Sequence, residues 1–255
     1  MNQKILFKLL GSTMLALCCS VAQAARLDVV DHLAAGGYIA STTSSEFFND
    51  DAIDLSAGGD VGLLGTRSFD AAGLSHGYVA DAYFIGNSQS FSMSTTQYLA
   101  AAAGKDLLAE AFVSVPLITL SIASDGEALG SPVQVSFSGL ASALGLADVA
   151  GSTLQMDIAI TSGSSMLGNW LWAPDAASSP DAPVSFSFLA NVGQQITLSA
   201  FMHSTLGSTG LQAVEGSVAG MLGGNFAVAA VPEASSYAML LAGLGILGLI
   251  ARRRV

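Results

Sequence analysis

The sequence predicts an all-β protein: a jelly-roll-like antiparallel β-sandwich over residues 25–230, flanked by an apolar helix at each end. Three observations predict it. Apolar and small polar residues alternate strictly in Ile118-Thr-Leu-Ser-Ile122, Val133-Gln-Val-Ser-Phe137, Leu154-Gln-Met-Asp-Ile158, Val184-Ser-Phe-Ser-Phe188 and Ile196-Thr-Leu-Ser199, the period of strands with one wet face. Glycine and proline clusters separate these runs at Asp125-Gly126, Gly130-Ser-Pro132, Gly139 to Gly151, Pro174 to Pro183 and Asn191-Val-Gly193, where turns are expected. Both cysteines, Cys18 and Cys19, fall in the N-terminal apolar segment, so the remaining chain must be held by its core, without disulfide, thiolate metal site or cysteine nucleophile.

Residues 1–24 read as a signal peptide. Lys4 and Lys8 form a positive start, Leu9 to Val21 is mostly apolar, and Ala22-Gln23-Ala24 is an A-x-A cleavage site for signal peptidase, with Ala25 as the first mature residue. The apolar run is short for a permanent span, and Leu17 before Cys18 is bulkier than a lipoprotein signal takes.

Residues 25–230 are expected to form the all-β extracellular domain. They carry three basic residues, Arg26, Arg67 and Lys105, against 18 acids, a net charge of −15. That balance disfavours nucleic acid and anionic membrane surfaces. Charged residues are only 11% of the whole chain, so Ser, Thr, Asn and Gln must supply most of the polar surface. In the N-terminal half, Gly77 to Ile85 and Phe91 to Thr95 read as strands and Ser68 to Ala72 as a poor one. Tyr98 to Leu108 is alanine-rich and suits a short helix, and Leu211 to Val231, interrupted by glycines, suits a final hairpin.

Several residue groups invite a chemical reading. Gly73-Leu-Ser75-His76-Gly77 has the G-x-S-x-G form of a nucleophile elbow, with His203 downstream, but an elbow needs a strand before the serine and a helix after it. His32, His76 and His203 are scattered without zinc-binding spacing, and are expected to be ordinary strand or surface histidines. Asp50, Asp51, Asp54 and Asp60 crowd one glycine-containing loop and could offer oxygen ligands to calcium, but the spacing lacks the EF-hand pattern, and a solvated acidic loop is the preferred reading over that alternative. No metal or other cofactor is expected. Trp170 and Trp172 stand at i and i+2, so in a strand both rings project from one face. They are the candidate glycan contact, weighed against a local core under a loop; no paired glycosidase carboxylates accompany them.

At the C-terminus, Val231-Pro232-Glu233 precedes an uncharged apolar run from Ala234 to Ala251, and Arg252-Arg253-Arg254 comes after it. A helix of roughly 18 residues is about 27 Å long, close to the ~30 Å core of a bilayer. Three arginines hold the far end in the cytoplasm and leave everything before Val231 outside.

This order of parts resembles the PEP-CTERM sorting signal of Gram-negative bacteria, with Ala234 where the family typically has proline. The resemblance covers residues 231–255. It implies an exosortase as partner, cleavage at or near Pro232-Glu233, and loss of the transient membrane anchor on the way to the cell surface. It also implies a link to exopolysaccharide and biofilm. The leading expectation is a non-enzymatic cell-surface or extracellular-matrix protein. The alternative is a carbohydrate-binding module using the Trp170/Trp172 loop, and a secreted hydrolase comes last.

Overall fold

The computed structural model describes residues 25–32, 36–41, 45–49, 52–54, 60–71, 74–104, 106–146, 151–209, 211–231 and 243–244. In chain order the strands are β1 (Ala25–His32), β2 (Gly36–Ser41), β3 (Ser45–Asn49), β4 (Ala52–Asp54), β5 (Asp60–Ala71), β6 (Leu74–Ile85) and β7 (Ser90–Ala101). They continue as β8 (Asp106–Ser124), β9 (Pro132–Leu144), β10 (Thr153–Ser162), β11 (Ser165–Trp172), β12 (Asp181–Asn191), β13 (Gln195–Thr209) and β14 (Val214–Ala230).

These strands form two antiparallel sheets. The first runs β12-β9-β14-β7-β6-β5-β4; the second runs β11-β10-β13-β8-β2-β3, with β1 also on β8. Strand β8 is long enough to hold two partners on one edge: β2 along Ala109–Ser114 and β1 along Ile118–Ser124. Counting β7 to β14 as one to eight, the sheet orders are 6-3-8-1 and 5-4-7-2, the double Greek-key winding of a jelly roll. The N-terminal strands widen both sheets on the β7/β8 side.

Alternation decides which side chains meet between the sheets. Val133, Val135 and Phe137 of β9, Leu154, Met156 and Ile158 of β10, and Ile196, Leu198 and Met202 of β13 are all buried. Phe137 packs with Phe226 at 4.7 Å and with Phe186 at 5.4 Å between ring centroids, joining β12, β9 and β14. Gly220 of β14 leaves room for side chains that cross from the opposite sheet. A Cβ there would sit 2.8 Å from both Met156 Cε and Met202 Sδ of the opposite sheet.

Four local expectations are corrected. The alanine-rich segment from Tyr98 is strand rather than helix: β7 continues to Ala101, and Leu99 and Ala101 are buried between β6 and β14. Pairing on both edges overrides alanine's helix preference. The expected C-terminal hairpin is one strand, β14, flanked along its length by β7 and β9. Its glycines are packing residues: Gly224 opposes Gly139, and a Cβ on Gly139 would lie 2.0 Å from the Gly223 carbonyl oxygen. Gly139 is therefore inside β9, not in a turn. Ser68 to Ala71, read as a poor strand, completes β5 against β6.

Among the described residues no helix is long and apolar enough to cross a membrane. The expected signal helix lies outside the described residues, as does the C-terminal helix apart from Gly243 and Leu244.

Candidate functional site

Both ends of the described domain arrive at the same end of the sandwich. Ala25, fully buried, pairs with Ser124 at the end of β8. Arg26 reaches Asp28 at 2.8 Å and Asp125 at 2.9 Å, which raises its already high pKa. One residue on, the Leu27 N–H donates to Gln89 Oε1 at 2.6 Å, and Gln89 Nε2 donates to the Leu27 carbonyl at 2.9 Å. At the other terminus β14 ends at Ala230, and the Val231 N–H donates to the Pro132 carbonyl at 3.2 Å. Residues 124–132, the β8–β9 connection, thus hold both. Of the residues singled out for processing, Ala25 and Val231 are described; Ala22, Ala24, Pro232, Glu233 and Arg252 to Arg254 lie outside the described residues.

Trp170 and Trp172 do share one face of edge strand β11, with ring centroids 6.2 Å apart and planes tilted by 45°. That face is the inner one. Their register partners on β10 are Ile158 and Met156, both fully buried, and directly opposed residues share a side of the sheet. Both indoles are half-buried and pack against the core, while Leu171 between them is exposed. Gly168 lets Phe186 of β12 close over this edge, since a Cβ there would lie 2.7 Å from the ring. The pair is a gasket between sheet edges rather than an open stacking platform.

The outer face of the same sheet carries an arrangement that sequence reading missed. Phe112 of β8 and Phe201 of β13 stack at 5.9 Å with planes 29° apart, and His203 meets Phe112 edge-on at 6.3 Å. Beside them opens a groove of about 300 Å³ lined by Phe112, Ser114, Val115, Asp157, Ser199, Ala200 and Phe201. A β-bulge adjoins it: the β8–β13 register moves from Ile118↔Leu198 to Val115↔Ala200, leaving one extra residue on β8 at positions 116–117. Proline has no N–H to give a ladder, so a bulge is where a strand accommodates it. Partial burial pushes the Asp157 carboxyl above its ordinary pKa. Asp157, Phe201 and Ser114 form one cross-strand row, which no local motif reveals.

A second cleft, of about 180 Å³, lies between the β9 end and the Pro174–Pro180 loop. Its Asp175 carboxylate is occupied in its own turn, accepting from Ser178 Oγ at 2.7 Å and the Ala177 N–H at 3.0 Å, which lowers its pKa.

The remaining candidates separate. Ser75 lies inside β6, paired with β5 and β7, not on a strand-to-helix turn. His76 is a strand histidine of β6, buried between the sheets. Its Nε2 is 3.0 Å from Gln97 Nε2, and Gln97 Oε1 accepts from Ser204 Oγ of the opposite sheet at 2.7 Å. Burial drives the His76 pKa down to about 4, so this polar chain is neutral. Asp54 and Asp60 oppose each other in the β4–β5 pair instead of sharing a loop; Asp50 and Asp51 lie outside the described residues. Among the described residues no group of three or more His, Cys, Asp or Glu side chains is placed to hold a metal.

A family model for the PEP-CTERM protein-sorting motif matches residues 230–254. No curated protein matches the chain. Among solved structures it is similar to an Eiger TNF structure from S. frugiperda, at 12% identity over 46% of this chain and 66% of that one, with a TM-score of 0.21. It is also similar to a structure of infectious bursal disease virus Gx strain, at 9% identity over 83% and 64%, with a TM-score of 0.21. A third likeness is to the C-terminal CBM6 of LamC from Zobellia galactanivorans, at 12% identity over 49% and 78%, with a TM-score of 0.18. The chain spans just under two thirds of the first two structures, and likenesses this distant carry no argument about function.

Proposed function

We propose that this chain, which carries a PEP-CTERM sorting motif at residues 230–254, is a non-enzymatic protein of the cell surface or extracellular matrix, working among exopolysaccharide in a biofilm. The motif itself indicates export and sorting by an exosortase. The proposal adds what the sorted domain does after release, and that the apolar segment after Glu233 anchors it only transiently.

One observation carries the reading. The matched motif begins at Ala230, the last residue of β14, so sorting machinery and folded sandwich meet without a spacer. An apolar segment of roughly 18 residues closed by three arginines suits a single crossing with its basic end inside. Among the described residues no strand lies beyond Ala230. The non-enzymatic part is supported by Ser75 standing within β6, paired on both sides, and by the self-satisfied turn around Asp175. The alternative module built on Trp170 and Trp172 loses its main support because the two rings face inward.

Replacing Glu233 by Ala tests the sorting step, because it alters the motif while leaving the apolar segment and Arg252 to Arg254 in place. The expected product is a full-length form retained in the membrane fraction, identified by intact mass. Processing of Glu233→Ala at the parent's rate would reject the assignment of Glu233 to the signal.

A further inference from the structure

We infer that the groove on the outer face of β10, β13 and β8 is a binding site for a neutral glycan chain. The inference deepens the proposed role: the matrix reading supplies the source of the glycan, while the site stands on its own geometry.

The outer face of this sheet carries many small polar residues, Thr119 and Ser121 on β8, Thr197 and Thr205 on β13 and Gln155 on β10, beside the exposed Leu171 of β11 opposite Asp157. Phe112 and Phe201 interrupt it side by side, and half-exposed rings on a wet face are costly unless something covers them. The bulge at positions 116–117 re-aims this part of β8, and the adjoining groove of about 300 Å³ matches the small end of ligand sites.

Its polar groups choose the occupant. Asp157, Ser114 and Ser199 line the groove, and none of their three side chains makes a hydrogen bond or ion pair among the described residues. Asp157 is partly withdrawn from water, as its raised pKa reflects, so a donor brought to it would gain more than at an open surface. Rings beside unused acceptors fit a sugar, whose C–H face packs on an aromatic ring while its rim hydroxyls donate. A purely apolar partner would strand these polar groups in the contact. A second copy would bring another domain of net charge −15 against the first. The same charge turns away anionic polysaccharide and leaves neutral chains.

The test is calorimetric titration of the full chain, in a detergent without a sugar headgroup, against cellohexaose, laminarihexaose and xylohexaose, with polygalacturonate as the anionic control. At least one neutral hexaose should bind and polygalacturonate should not. Asp157→Asn, which keeps shape and removes charge, should weaken that binding about tenfold, the worth of a charge-assisted hydrogen bond. Phe201→Ala should weaken it at least as much, and Trp172→Phe should leave it unchanged. Absence of binding to every neutral probe overturns the inference. So does binding that survives both Asp157→Asn and Phe201→Ala, or self-association of the chain that Phe201→Ala abolishes. A negative titration with intact Glu233-dependent processing would remove the groove and keep the sorted surface protein; the converse would remove the sorting step and keep the groove.

Discussion

Trp170/Trp172 and Phe112/Phe201 are two aromatic pairs on one sheet, and they face opposite ways. The tryptophans stand two residues apart on an edge strand, behind which Met156 and Ile158 are fully buried. The phenylalanines come from separate strands and meet on the outer face, beside the Asp157 carboxylate, which has no side-chain partner among the described residues. Spacing of i and i+2 establishes only that two side chains share a face. Which face is decided by the neighbouring strand, and therefore by tertiary pairing. The visible pair is a packing element; the pair with binding chemistry is assembled by the fold.

Stability should separate the two pairs most strongly. Trp172→Ala removes a half-buried ring that packs against the core at a sheet edge, and should cost about 2–4 kcal/mol. Phe201→Ala trims a ring on the outer face and should cost about 1 kcal/mol or less. Urea denaturation of both variants checks the ordering. Equal losses would mean that the outer face is covered as the inner one is, and the contrast would be lost.

Titration draws the same inner-against-outer distinction with a smaller effect. His76 sits between the sheets with its pKa lowered from 6.5 to about 4, so below pH 6.5 the unfolded chain takes up a proton that the folded chain refuses. Stability is unaffected by His76 above 6.5 and falls as pH drops from 6.5 toward 4. Asp157 on the outer face has the opposite sign: its folded pKa is raised, so acidification through its titration favours the folded state. His76→Gln should flatten the loss between pH 6.5 and 4, while Asp157→Asn should steepen the decline at its acid end. Unfolding midpoints of parent and variants across that window check both signs.

The strands with strict alternation, β9, β10, β12 and β13, were legible because one face is dry and the other wet. The segments misread were those where local preference and tertiary role diverge. Alanine-rich Tyr98 to Ala101 favours helix in isolation but is paired on both edges. Gly216, Gly220, Gly223 and Gly224 resemble turn punctuation, yet β14 lies in the interior of its sheet, where Gly220 admits Met156 and Met202. His76, in a motif resembling a catalytic elbow, serves instead a buried chain through Gln97 to Ser204. The groove was invisible for another reason: Asp157, Ser114 and Phe201 have no sequence relation to one another. The presence of the sorting motif was legible, because its information is contiguous and needs no partner strand.

If the sandwich is complete at Ala230, the segment beyond it serves only as an address and the fold must survive its removal. Val231 is tied to the sandwich by its N–H bond to Pro132, a contact worth about 0.5–1.5 kcal/mol. The direct measurement is denaturant unfolding of the chain lacking residues 231–255, recovered from the medium. The expected result is a soluble protein with one cooperative transition, within about 1.5 kcal/mol of the parent. A truncated chain that is unfolded or aggregated would contradict this, and would make the C-terminal segment part of the fold.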